Sequence, residues 1–152
     1  MLQTAGVRTD VSALQRGVIR LLHARGFAAV SELSLATGRR PDLVAVGPAA
    51  EIWAVEIKSC AADFRADRKW LEYQKYCDEL LFAVDRDFPL ELIPPSVGLI
   101  VADGYGGEIL RVAPRTKLPP ATRKAMLLRV ARAASCRLTH LIDPALAEIE
   151  LR

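Results

Sequence analysis

The sequence predicts an α/β fold in which one mixed β-sheet is flanked by helices. Apolar residues recur at helical spacing near both ends of the chain, and short apolar runs broken by turn residues occupy the middle. The resulting order is a helix, three strands, a helix, further strands and then helices, which is typical of helices packed on a single sheet. Because the chain has 152 residues, 51% of them hydrophobic, and no repeats, we expect residues 1–152 to form one domain.

The first predicted helix covers about residues 10–25. Thr9 or Asp10 can cap its first turn, and Gly26 ends it. Three strands are expected next, at residues 27–35, 42–46 and 51–59, with a turn at 38–41 between the first two. Strand alternation places Glu56 and Lys58 on the same side of the third strand.

The second half of the chain predicts a helix, three more strands and two terminal helices. A polar stretch from Asp63 leads into a helix containing Trp70, Tyr73 and Cys77, whose spacing is more typical of core packing than of a base-stacking platform. Buried strands are expected at 80–84 and 97–102, and a final strand at 108–112. After Pro119 and Pro120, a long helix of about residues 121–137 precedes a short one near 144–149.

The composition argues against a membrane protein and a disulfide scaffold. No stretch approaches the roughly 20 uncharged apolar residues of a spanning helix. Residues 1–8 lack the basic and apolar regions of a signal peptide, so we expect a cytoplasmic protein. The three cysteines are too scattered for a disulfide framework or a zinc site, and we interpret them as buried, reduced thiols.

Charge is distributed unevenly along the chain. Residues 1–110 hold 12 Lys and Arg against 15 Asp and Glu, whereas residues 111–152 hold 9 against 3. Acidic residues for the chemistry in residues 1–110, together with a basic surface in residues 111–152, would suit a polyanionic partner such as DNA. A solvated basic helix without a partner explains the same pattern.

The most informative motif is Pro41-Asp42 followed by Glu56-Ile57-Lys58. Asp42 begins the strand that precedes the strand of Glu56 and Lys58, so all three side chains can meet. Two carboxylates supply the hard oxygen ligands that Mg²⁺ prefers, and a nearby lysine can position an attacking water. The alternative is a plain ion pair between Glu56 and Lys58 at a sheet end.

The structural context of this motif is more informative than its sequence pattern alone. An acid-x-Lys pattern also occurs at Asp67-Arg68-Lys69, but that match follows no apolar strand. Asp63 and Asp67 lie four residues apart and could hydrogen-bond around the site, although helix capping is the simpler interpretation of Asp63.

The pattern resembles the PD-(D/E)XK nuclease superfamily, whose core has the order α-β-β-β-α-β. The stretches 39–42, 55–59, 63–70 and 76–78 further resemble bacterial MmcB-type DNA repair proteins, a likeness that spans roughly residues 30–112. The resemblance implies a restriction-endonuclease-like fold. It also implies that Asp42 and Glu56 hold Mg²⁺ or Mn²⁺ together with the Ile57 carbonyl, and that Lys58 assists the nucleophile.

One acidic residue of the superfamily pattern is missing. The superfamily often adds an acid from the first helix, but this helix has none after Asp10. We therefore take Glu32, on the strand before Asp42, as a further candidate catalytic residue. An exposed strand residue without a role is the alternative for Glu32.

The basic helix near the C-terminus is the candidate DNA-binding surface. Met126, Leu127, Val130, Ala134 and Leu138 share one predicted arc, and Lys124, Arg129 and Arg132 lie opposite. Such a basic face could hold backbone phosphates without reading bases.

Taken together, these features predict Mg²⁺-dependent hydrolysis of DNA phosphodiester bonds in repair. A nuclease-like fold that binds DNA or a repair partner without cutting remains an alternative, because a fold and a motif do not guarantee turnover. A third interpretation is an interaction domain whose acids merely pair with arginines. A homodimer is compatible with the sequence.

Overall fold

A six-stranded mixed sheet organises the protein. The structure, a computed structural model, describes residues 10–149. The strands lie side by side in chain order, and their bounds are β1 Ala28–Ser31, β2 Leu43–Val46, β3 Ile52–Lys58, β4 Glu79–Val84, β5 Gly98–Ala102 and β6 Gly107–Arg111.

Within residues 10–149, four α-helices accompany the sheet: α1 Val11–Ala24, α2 Ala61–Ala66, α3 Trp70–Tyr73 and α4 Pro120–Ile142. Short 3₁₀ helices cover Gln74–Tyr76, Leu90–Leu92 and Pro144–Glu148. No helix among residues 10–149 is long and apolar enough to cross a membrane.

Across the sheet, the pairing of neighbouring strands changes from antiparallel to parallel and back to antiparallel. β1, β2 and β3 form an antiparallel meander, β3, β4 and β5 are parallel, and β6 returns antiparallel to β5. Parallel neighbours need a long crossover, which α2 and α3 provide between β3 and β4. The predicted restriction-endonuclease-like α-β-β-β-α-β core with a mixed central sheet is confirmed.

The two faces of the sheet bury separate hydrophobic clusters. On one face, Leu14, Val18 and Leu22 of α1 pack against β2, β3, β4 and β5. On the other face, Tyr73, Phe82 and Met126 belong to a cluster that α3, α4 and the sheet build together. α2 joins this second cluster through Phe64, whose ring meets Phe82 edge-on at 5.2 Å. The second face is therefore the one to which α2 and α3, the helices that follow β3 in the chain, contribute side chains.

α1 lies unusually close to the turn between β5 and β6. A Cβ placed on Gly17 would be 1.7 Å from the carbonyl oxygen of Asp103, closer than any side chain can come. Glycine in the middle of a helix is unfavourable, so its presence here reflects this approach of two backbones.

Two predicted elements end earlier than expected. The sequence predicts a first strand that reaches Leu35, but β1 stops at Ser31 because Glu32 adopts a left-handed conformation with a φ of 47°. The predicted helix through Cys77 ends as a 3₁₀ turn at Tyr76, and Cys77 is extended. Asp10 caps α1 by accepting from the N–H of Ser12, whereas Thr9 lies outside the described residues.

The predicted apolar arc of the basic helix is correct only in its first half. Met126 is buried and Leu127 and Val130 are partly buried, but Leu138 is 59% exposed. The helix continues to Ile142, past the elements that cover its earlier turns, and Leu141 and Ile142 are 81% and 78% exposed. Ala134 is likewise exposed.

All three cysteines are free, as expected, but only Cys77 is buried. Cys60 and Cys136 are partly exposed, and the Cys136 thiol lies 3.3 Å from Nε2 of His140. The prediction of buried thiols is therefore wrong for these two.

Asp78 joins three parts of the chain at the end of the sheet where β4 begins. Its fully buried carboxylate accepts the N–H groups of Ile52 and Leu118 at 2.8 and 3.0 Å. Arg123 of α4 pairs with both of its oxygens, at 2.7 and 2.6 Å. Burial would raise the pKa of Asp78, but Arg123 and the two amides outweigh it and lower that pKa to about 2.

We predict that Asp78→Ala lowers the free energy of unfolding by about 3–5 kcal/mol, because it leaves the Arg123 charge and two buried amides without their acceptor. Urea unfolding at pH 7 measures this loss, with the exposed Asp87→Ala as the control. Because folding lowers the pKa of Asp78, its contribution is present above about pH 4 and is lost as the pH falls towards 2. A loss equal to that of Asp87→Ala would contradict the prediction.

Candidate active site

Three of the predicted catalytic side chains meet on one face of the sheet. Glu56 and Lys58 alternate with Val55 and Ile57 along β3, and both are buried. Asp42 stands just before β2, and β2 pairs with β3 in a register that places Leu43 opposite Val55. Residues 42 and 56 are therefore on adjacent strands at the same edge of the sheet.

Reciprocal hydrogen bonds hold Asp42 and Glu56, the carboxylate pair, together. The N–H of Asp42 donates to Oε1 of Glu56 at 3.0 Å. The N–H of Ile57 donates to Oδ2 of Asp42 at 2.7 Å. Each carboxylate is thus bound by a backbone amide of the neighbouring strand, so neither side chain can turn away without breaking a hydrogen bond.

Pro41 explains why the carbonyl of Ile57 is available at this point. Continuing the β2–β3 register from Leu43 and Val55 would pair Pro41 with Ile57. The N–H of Ile57 points towards the β2 side, since it reaches Asp42, and the carbonyl of a strand residue points the same way as its N–H. Proline has no N–H to donate, so residue 41 cannot form a hydrogen bond to the carbonyl oxygen of Ile57.

Burial and mutual repulsion raise the proton affinity of the pair. Desolvation raises the pKa of Glu56 to about 7, and the charge of Asp42 adds to the effect. Burial also raises the pKa of Asp42, although the Ile57 amide and Lys58 oppose it. Because neither acid ionises easily beside the other, a cation that offsets their negative charge would stabilise the ionised pair.

Lys58 is held by an aspartate from the following helical segment. Its Nζ lies 2.5 Å from Oδ2 of Asp67 and 3.7 Å from Oε2 of Glu56. Burial would lower the pKa of Lys58, but the hydrogen bond to Asp67 and the charge of Glu56 outweigh it and raise that pKa. Lys58 is therefore a cation in this arrangement.

Asp67 belongs to the second acid-x-Lys match, which strand context excluded as a catalytic motif. Its side chain nevertheless enters the site, because the turn after α2 brings it back over β3. Asp63 does not cap α2, whose first turn follows Cys60, but accepts a hydrogen bond from the Ser59 hydroxyl at 3.3 Å. In the sequence, Asp67 is connected to the site by its four-residue spacing from Asp63 and by its place in the stretch 63–70, which resembles MmcB-type proteins.

Glu32 is joined to Asp42 by a hydrogen bond between their backbones. Its N–H donates to the carbonyl of Asp42 at 3.0 Å, and its charge contributes to the raised pKa of Asp42. The left-handed φ of 47° is uncommon for a residue with a side chain, and such conformations cluster at functional sites. The side chain itself is exposed.

Several arginines of α4 line a groove beside Glu32. This arginine groove is lined by Glu32, Leu33, Ser34, Ala125, Leu128, Arg129, Arg132, Ala133 and Arg137. Arg129 donates to the carbonyl of Ser34 at 3.2 Å, and Arg137 to the carbonyl of Glu32 at 3.4 Å. The structure thus brings the predicted Arg129 and Arg132 into one groove with Glu32 and adds Arg137, while the exposed Lys124 is not part of the groove lining.

Comparison with known proteins identifies the family of this chain. Residues 3–145 match the family described as DNA repair protein MmcB-like. The chain belongs to the MmcB-like family. A solved structure, the SPO1766 protein of unknown function from Silicibacter pomeroyi, shares 47% sequence identity with a TM-score of 0.85, over 89% of this chain and 92% of that one. No curated protein matches the chain.

The donor set of this MmcB-like site suits a magnesium-type ion. Among residues 10–149, no three His, Cys, Asp or Glu side chains converge as a ready-made metal cluster. Mg²⁺ is commonly bound by only one or two carboxylates and keeps several waters. The carboxylate pair and the Ile57 carbonyl therefore fit such an ion, whereas they lack the nitrogen and sulfur ligands typical of zinc.

We predict that Glu56→Gln stabilises the metal-free protein more at pH 8 than at pH 5. Because folding raises the pKa of Glu56 from 4.5 to about 7, the charged side chain makes the free energy of unfolding decrease as the pH rises through this range. Glutamine can still accept from the Asp42 amide but carries no charge. Thermal unfolding in EDTA at both pH values measures the difference, with the exposed Glu91→Gln as the control. An equal effect of Glu56→Gln at both pH values would refute this.

Proposed function

We propose that this protein hydrolyses DNA phosphodiester bonds with the help of Mg²⁺ or Mn²⁺, as part of DNA repair. The observation that carries the proposal is the carboxylate pair, which two backbone amides hold together in a partly buried position next to Lys58. Membership of a family described as DNA repair proteins supports DNA as the substrate.

Each residue of the site has a role in this proposal. Asp42 and Glu56 would hold the metal with the Ile57 carbonyl. When bound, the ion would make a water more acidic and stabilise negative charge on the phosphate. Lys58, being protonated, would donate hydrogen bonds to the attacked phosphate or to the water and would not act as the base. Glu32 stays a candidate at the rim, next to Asp42.

The arginine groove would bind the DNA backbone. Arg129, Arg132 and Arg137 put three positive charges beside one carboxylate, that of Glu32. The predicted Lys124 would add a contact further along the exposed side of α4. Phosphates bound here would lie next to the carboxylate pair, because Glu32 hydrogen-bonds to Asp42. Contacts of this kind position a strand without reading its bases.

One observation favours a second candidate, a protein that binds DNA or a repair partner without cutting. The superfamily pattern often includes a further acid, and no cluster of three potential ligands is found among residues 10–149. A nicking screen decides between the two. It should cover duplex, single-stranded, branched and damaged DNA with Mg²⁺ and with Mn²⁺, and cleavage that EDTA abolishes supports the nuclease. DNA binding without cleavage under every condition supports the second candidate.

We predict that Lys58→Ala lowers the cleavage rate by about 10²–10³, since removal of a preorganised electrostatic group typically has this effect. Metal binding should remain, because Lys58 is not a ligand. Asp42→Asn should lose both cleavage and metal binding. Single-turnover cleavage and Mn²⁺ titration measure the two properties separately. Full cleavage by Lys58→Ala would show that another group positions the water.

We also predict that replacing Lys124, Arg129 and Arg132 together with alanine weakens DNA binding for all sequences and flattens its salt dependence. Each lost phosphate contact should reduce the slope of log K against log salt by about 0.9. Lys124→Ala alone is the matched comparison, because it removes one charge from the same helix outside the groove lining. A slope that the triple variant leaves unchanged would exclude this surface.

A further inference from the structure

Lys58 lies between two acids and is closer to one of them. Its Nζ is 2.5 Å from Oδ2 of Asp67 but 3.7 Å from Oε2 of Glu56. The side chains of Lys58 and Asp67 are only 10% and 16% exposed, so water screens their attraction weakly. The position of the Lys58 ammonium is therefore a balance between these two carboxylates.

Asp67 is itself held rigidly by the turn after α2. Its Oδ1 accepts the N–H of Lys69 at 2.8 Å. Its own N–H donates to the carbonyls of Asp63 and Phe64 at 3.2 and 3.3 Å. Phe64 in turn packs edge-on against Phe82 of β4 and Phe88, with ring centroids 5.2 and 6.4 Å apart. The aromatic contacts thus anchor the turn that presents Asp67 to Lys58.

We propose that Asp67 is a positioning residue that keeps the Lys58 ammonium away from Glu56, so that Oε2 of Glu56 stays free to bind a divalent cation. Without Asp67, the carboxylate nearest to Lys58 among residues 10–149 is that of Glu56. Electrostatic attraction would then draw the Lys58 ammonium towards Glu56. Lys58 would then compete with the metal for the same oxygen. The inference rests on the proposed function, because it assigns a task to Asp67 within that site.

Asp67→Asn tests the inference through metal binding alone. Replacing a group that orients a metal site typically costs about 10–100-fold in affinity, so Mn²⁺ affinity, measured by electron paramagnetic resonance without DNA, should fall by at least about tenfold. The matched control is Asp63→Asn, which removes a carboxylate from the same segment whose partner is Ser59. That variant should bind Mn²⁺ like the wild type. Thermal unfolding checks that both variants fold.

A double variant separates positioning from a general structural role. If Asp67 acts by restraining Lys58, then Lys58→Ala in the Asp67→Asn background removes the competing cation and should restore Mn²⁺ affinity to that of Lys58→Ala alone. A purely structural loss would not recover. Unchanged affinity in Asp67→Asn, or a loss that Lys58→Ala does not restore, overturns the inference.

The same measurements distinguish this inference from the proposed function. If the wild type binds Mn²⁺ through Asp42 and Glu56 but cuts no DNA, hydrolysis is refuted, while the effect of Asp67→Asn on affinity still supports or overturns the role of Asp67. If the wild type binds no Mn²⁺, both proposals fail.

Discussion

The site depends on one constraint, that two carboxylates on neighbouring strands each accept the other strand's backbone amide. The bonds from the Asp42 N–H to Glu56 and from the Ile57 N–H to Asp42 prevent the acids from separating, although burial and charge disfavour their ionisation together. The meander of β1, β2 and β3 provides the rigid frame for this, and α1 buries the opposite face of the same strands. Strand pairing thus holds an arrangement that the side chains alone would avoid.

The parts of the site that follow strand geometry could be predicted from the sequence. Alternation puts Glu56 and Lys58 on one face wherever a strand forms, and a short connection brings Asp42 to the adjacent strand. Asp67 could not be placed in the same way, because its approach depends on how Phe64 packs between distant strands and loops. The left-handed backbone of Glu32, which ends β1 beside Asp42, likewise leaves no periodic signal.

The basic helix shows the same division between local pattern and tertiary context. Charge along the chain located the cationic surface, and helical spacing separated Arg129 and Arg132 from the apolar side. The spacing could not show that α4 extends beyond the elements that cover its first turns, which leaves Leu138 exposed. It also could not show that Arg137 lies within reach of Glu32. Helix periodicity predicts which residues share a face of the helix. Which elements pack against that face depends on the rest of the fold.

The order of the strands has a consequence for the synthesis of the protein. Because each strand lies next to the strand that precedes it in the chain, no strand has to insert between two others that are already paired. β3 completes the pairing that joins Asp42 to Glu56 while α4 and its arginines are still to be translated. The residues that join the two carboxylates are therefore all translated before any arginine of the groove.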